Sequence, residues 1–264
     1  AINNNYLHDC AANGSTNGQL TGVNVDDNRV SGVASERLSI SFNRIKNLTC
    51  DATFIAANNY QSDGININNQ DSASHTIHGN MIDTVGEGID CFGKKCSIQG
   101  NTIQDAYLSG IKLVHGASYN NVCNNVIDGL CKYGIDIAGS STATTDTQYN
   151  NVHDNIISNV NSAGNHTASG ISAGIAADNF STYDPLNNLI QDNTVMESSL
   201  AHWGLRSGGA GGNEWIGNRL YGTYVTARVL NGDREVFRPA NRSYVRAQRA
   251  TSAQTLTNNT VTDV

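Results

Sequence analysis

Four short runs hold the ionisable residues best placed to do chemistry together. They are Asp63-Gly64-Ile65-Asn66-Ile67, Gly88-Ile89-Asp90-Cys91, Gly110-Ile111-Lys112-Leu113 and Gly134-Ile135-Asp136-Ile137. In each, a glycine precedes an apolar residue and a polar residue follows it. Side chains alternate between the two faces of a strand, so inward isoleucines put Asn66, Asp90, Lys112 and Asp136 in one outward column. Stacked parallel strands lie about 4.8 Å apart, which sets Asp90 and Asp136 about 9–10 Å apart along the backbone, with Lys112 between them. Inverting glycosidases hold their two carboxyl groups about 6.5–9.5 Å apart. Side-chain rotamers bring this pair into that range, for acid–base attack on a glycosidic bond. Lys112 keeps one of the two carboxylates ionised. Glu87, Tyr133 and His115 occupy neighbouring outward positions, and Asp63 sits one repeat earlier. Charged residues make up only 15% of the chain, so their gathering on one strip is informative. The plain alternative is a solvated sheet face with an Asp–Lys–Asp ladder of modest value.

These runs belong to a repeat. A motif of apolar-x-x-Asn-x-apolar appears at Ile40–Ile45, Ile77–Ile82, Ile98–Ile103, Val122–Ile127, Val152–Ile157, Ile190–Val195 and Trp215–Leu220. The glycine runs alternate with it, and Gly174-Ile175-Ala176 and Gly204-Leu205-Arg206 are weaker copies. Repeats of about 20–25 residues with short apolar strands predict a right-handed parallel β-helix, an all-β solenoid, over residues 1–232. The recurring Asn is expected to stack as an internal amide ladder, since a buried amide needs partners. Segments 140–148 and 161–169 lack the period and read as projecting loops, the usual walls of a groove. Asp178, Asp184 and Glu197 lie near them. Trp203 is a candidate for stacking on a sugar ring and Trp215 for the core. Residues 233–264 hold no copy of the motif and read as a neck or the start of a β-sandwich or trimerisation domain.

Composition narrows the partners. The net charge of −7 argues against nucleic acid, and no apolar run is long enough to insert in a membrane. The 36 asparagines and 26 glycines fit a turn-rich β chain rather than a helical one. No pair of histidines or cysteines has zinc spacing, so neither a metal nor a cofactor is expected. The six cysteines read as mainly buried free thiols, with a Cys91–Cys96 disulfide as the other possibility.

The runs from Gly110 to Ser118 and from Cys96 to Asn101 resemble the β-helix body of bacteriophage tailspikes and tail fibres. Tyr244–Arg249 and Ala253–Asn259 resemble the opening of the small β-sandwich that often follows such a body. The resemblance implies a homotrimer on a virion tail, or a secreted protein, that binds a bacterial capsular, exo- or lipopolysaccharide and depolymerises it. Asp90 and Asp136 are then the acid and base, with Lys112, Glu87 and Tyr133 beside them. Asp63, Asn66, His115, Arg206 and Trp203 are the substrate-binding candidates. A second likeness is to mannuronan C5-epimerases, through Tyr133-Gly134-Ile135-Asp136. That family's motif continues with Pro and His, where Ile137 and Ala138 stand here. It keeps open a lyase or epimerase acting on uronic acid, with Lys112 neutralising the substrate carboxylate and Tyr133 as base. A non-catalytic glycan-binding adhesin or structural fibre is the third possibility.

Overall fold

The computed structural model describes residues 1–11, 20–25, 36–49, 62–129, 132–141, 145–161, 172–178, 183–197, 203–208, 211–222, 226–230, 233–237 and 261–263. Among them there are strands and no helix. Ten strands form one sheet and fourteen another, and nearly every neighbour pairs in parallel. Each strand pairs with its counterpart one repeat later, Ile77 with Ile98 and Ile98 with Val122. Further along the chain Val152 pairs with Ile190. The repeat is thus tight in the middle and lengthens where segments are inserted. The architecture is all-β with parallel strands in stacked sheets, which is compatible with the expected parallel β-helix.

The fourteen-stranded sheet contains two rows of strands. Met81–Cys91 and Thr102–Leu113 run through both rows and bend at Thr84 and Asp105, whose φ angles are 55° and 50°. Each repeat therefore presents three outward faces: the ten-stranded sheet, the row containing Val126–Asp128, and the row containing Tyr133–Ala138. The corners were expected to use Gly and Asn for positive φ. They also use Phe42, Lys95, Tyr119 and Tyr149, so the ladders beside them hold the backbone in this conformation.

Ile65, Ile89, Ile111 and Ile135 pair in register and are fully buried, one inward column as anticipated. The glycine before each isoleucine is where the two rows meet. A Cβ on Gly110 would lie 2.5 Å from Ile127 Cγ2 and 2.7 Å from the Gly134 carbonyl oxygen. Side chains are excluded there because the rows touch.

The asparagine ladder is present. The backbone N–H and the side-chain Nδ2 of Asn101 both donate to Asn125 Oδ1, at 3.0 and 2.9 Å, and Nδ2 also donates to the Ile77 carbonyl at 3.0 Å. The same pattern links Asn43, Asn80, Asn101, Asn125, Asn155, Asn193 and Asn218. A second ladder was not anticipated. Asn120, Asn150, Asn188 and Asn213 repeat the geometry at another corner and end on the Asp233 carboxylate.

Pairing also runs past residue 232. Arg234–Phe237 adds to the ten-stranded sheet beside Glu214–Ile216, and Val261–Asp263 pairs with it in turn. The loop segments 142–144 and 162–171, and most of 233–264, lie outside the described residues. Cys91, Cys96 and Cys123 are buried free thiols and Cys10 is an exposed one, so Cys91 and Cys96 form no disulfide. Trp215 is fully buried.

Candidate functional site

The row of strands containing Tyr133–Ala138 positions the candidate residues in two adjacent outward columns. Strand register places Asn66, Asp90, Lys112, Asp136, Ala176 and Arg206 in one. It places Asp63, Glu87, Ser109, Tyr133, Ala173 and Trp203 in the other. Nine of the ten anticipated site residues therefore share one face. The tenth, His115, lies just beyond the end of its strand. It packs on Phe92 with ring centroids 4.3 Å apart and bonds Ser140 Oγ at 2.6 Å.

The strip is not the solvated face that the plain alternative supposed. Asp63 and Glu87 are fully buried, and Asn66, Asp90, Tyr133 and Asp136 are at most 4% exposed. The next outward column flanks it, and there Val114 and Asp178 are buried as well. Alternation along a strand gives a side chain's direction but not what covers it, and that is why the sequence left burial open.

Two linked clusters result. In the first, the Lys112 ammonium donates to Glu87 Oε1 at 3.1 Å and Oε2 at 3.3 Å, and lies 3.7 Å from Asp90 Oδ2. Asn66 Nδ2 donates to Asp63 Oδ2 at 2.8 Å. In the second, the Asp178 carboxylate accepts from the Arg206 guanidinium and, at 3.4 Å, from the Tyr133 hydroxyl. The Arg206 guanidinium also stacks 4.6 Å from the Trp203 ring centroid. Asp178 was only a minor candidate in the sequence, and its tie to Arg206 and Tyr133 spans an insertion. Asp184 belongs elsewhere: its N–H bonds Asp146 Oδ1. The side chain of Glu197 lies outside the described residues.

Burial dominates the electrostatics. It raises the Asp136 carboxyl to about 7, with the Asp178 charge adding and Lys112 opposing. It raises Asp63 to about 7, helped by Glu87. Burial also lifts Asp90 well above the carboxylate range; Lys112 opposes this, and Glu87 and Asp63 reinforce it. Burial works against the Lys112 charge, but Asp90 and Glu87 outweigh it, so its ammonium is held on. Burial and then Asp136 push the Tyr133 phenol up. Burial and then Lys112 push His115 down. Buried carboxyl groups with displaced titration mark a candidate acid–base site.

The site also holds unsatisfied polar atoms. Asp63 Oδ1, Asn66 Oδ1, Asp90 Oδ1, Ser109 Oγ, Asp136 Oδ1 and Asp178 Oδ1 are buried with no hydrogen-bond partner. A buried polar atom without a partner costs about 1–3 kcal/mol, so six on one strip call for partners from outside the chain, whether water or a ligand.

On another face, His78, Gln99, Cys123, His153 and Gln191 line up in register as a stripe, polar except for Cys123 in its middle.

No protein-family model matches the chain, and no curated protein matches it. Among solved structures the chain is similar to the Agl-KA catalytic domain, at 12% identity and a TM-score of 0.40, over 77% of this chain. The chain spans 42% of that protein's length, and a likeness this slight decides neither fold nor chemistry.

Proposed function

We propose that this chain is a right-handed parallel β-helix that binds and hydrolyses a bacterial surface polysaccharide, in the manner of a phage tailspike depolymerase. The hand follows from the near-universal right-handedness of crossovers between parallel strands. The carrying observation is the register of Asp90, Lys112 and Asp136 on three successive strands. Two carboxyl groups face the same way two strands apart, about 9–10 Å by strand spacing. That matches the wider, inverting arrangement, which leaves room for a water. Asp136, raised to about 7, still carries a proton near neutrality and is the acid. Burial lifts Asp90 as well, so its part as the base that activates water rests on the Lys112 ammonium 3.7 Å away, which favours its ionised form.

The lyase or epimerase reading is less well supported. Its cation, Lys112, is already engaged by Glu87 and Asp90, and its base, Tyr133, is pushed away from ionising. The test is incubation with capsular, exo- and lipopolysaccharides from a panel of bacteria. New reducing ends without ultraviolet absorbance from an unsaturated sugar indicate hydrolysis, and the anomer first formed reports inversion. An unsaturated product overturns the hydrolytic assignment, and binding without cleavage makes the chain an adhesin.

A further inference from the structure

We infer that Asp63, Asn66, Glu87 and Asp90 form a binding site for a divalent cation, calcium by the chemistry of its ligands. Three carboxylates each offer an oxygen within 4.8 Å of the others. Such a cluster alone is not a site, but a separate observation points to a ligand. Asn66 is only 4% exposed, and its Oδ1 has no partner. Its amide is fixed among the carboxylates, because Asn66 neighbours Asp90 in register and its Nδ2 is tied to Asp63. One oxygen each of Asp63 and Asp90 is orphaned in the same way, and so is Ser109 Oγ beside Glu87.

Lys112 does not fill this role. Its ammonium sits on the Glu87 side and reaches only the Oδ2 of Asp90. It is one ammonium among three carboxyl groups, so the cluster has donors to spare for a further cation. The donors are all oxygen, with no imidazole or thiolate, which suits a hard cation. Carboxylates joined by an amide carbonyl in an irregular set suit calcium, which tolerates varied geometry, better than magnesium, which demands an octahedron and keeps its waters. The sequence gathered these four residues on one strip but showed no metal spacing, because the ligands come from two strands and meet only through pairing.

The test is calorimetric titration of the chelator-treated full chain with calcium chloride at pH 7.5, without any polysaccharide. The expected result is one calcium per chain and a raised melting temperature. Magnesium should bind at least tenfold more weakly, and calcium should be released at pH 5 as the ligands protonate. Asp63→Asn should weaken calcium binding at least tenfold while keeping the circular dichroism spectrum; Asp83→Asn, on another face, should leave it unchanged. Should Asp63→Asn fail to fold, Asn66→Leu replaces it with the same expectation. No heat and no melting shift at millimolar calcium overturns the proposal, as does unchanged affinity in either variant. Because no substrate is present, this outcome is independent of the hydrolase reading.

Discussion

Asp136 is buried between Lys112 on one strand and Ala176 on the next, and its own Oδ1 has no partner. Its carboxyl lies at about 7 when folded, against 3.8 unperturbed. The folded state then binds this proton more tightly than the unfolded chain does. Its contribution to stability is full below about pH 4, declines as pH rises towards 7 and stays low above. Asp136→Asn should therefore be more stable than the parent at pH 8, on the order of 2 kcal/mol, and equal to it at pH 4. Denaturant midpoints at the two pH values decide this. The same variant should lose depolymerising activity by about 100-fold or more, the usual worth of a positioned acid. Parent activity should fall above about pH 7, as Asp136 loses its proton. A variant that is more stable but inactive marks a residue kept for function. The position of this group was legible, because Gly-Ile-x fixes which residue points outward. Its protonation was not, because burial depends on the neighbouring columns.

At the level of strands and turns, two kinds of residue hold the stacked sheets together. Gly110→Ala forces a methyl group to within 2.5 Å of Ile127 Cγ2. It should cost about 3 kcal/mol, the upper end of overpacking, read as a lower urea midpoint with an unchanged slope. Asn125→Ala removes the acceptor for both Asn101 donors and leaves the carbonyl of Ile98 without its amide. About 3 kcal/mol is expected again, from several buried groups left unpaired. Asn124→Ala next door gives up only a favourable left-handed residue and should cost about 1 kcal/mol. The first ladder was plain in the sequence. The second was legible too, in the pairs Asn120/Asn125, Asn150/Asn155, Asn188/Asn193 and Asn213/Asn218, each five residues apart. It was obscured because His75 and Cys96 hold its earlier positions. The strand after residue 232 escaped notice because Asp233 replaces Asn at the ladder's end and Glu235 pairs with Trp215, so the motif is lost while the pairing persists.

Across the whole molecule the three faces differ in a way that bears on assembly. The carboxylate face is polar and charged. The row between the two corners carries Met81, Thr102, Val126, Ile156 and Thr194 in one outward column, with Arg44 and Arg219 at its ends. Met81, Val126 and Ile156 are 52%, 40% and 42% exposed, and Met196 and Tyr221 beside them are comparably open. The five successive positions of this column carry no charge and make a strip about 20 Å long by strand spacing, flanked in the next outward column by Lys46, Asp83 and Asp128. Such a patch on a stack of parallel strands is a candidate contact. Packing this face on the ten-stranded sheet of another copy is a head-to-tail contact, which closes into a ring after three copies if each turns by a third. The third face, with the carboxylates, is then left pointing outward. Light scattering should give three times 28.1 kDa. Ile156→Lys, which puts a charge at the middle of the strip, should give a single chain with an unchanged circular dichroism spectrum. A parent chain that runs at 28.1 kDa would exclude the trimer and leave the strip as bare surface.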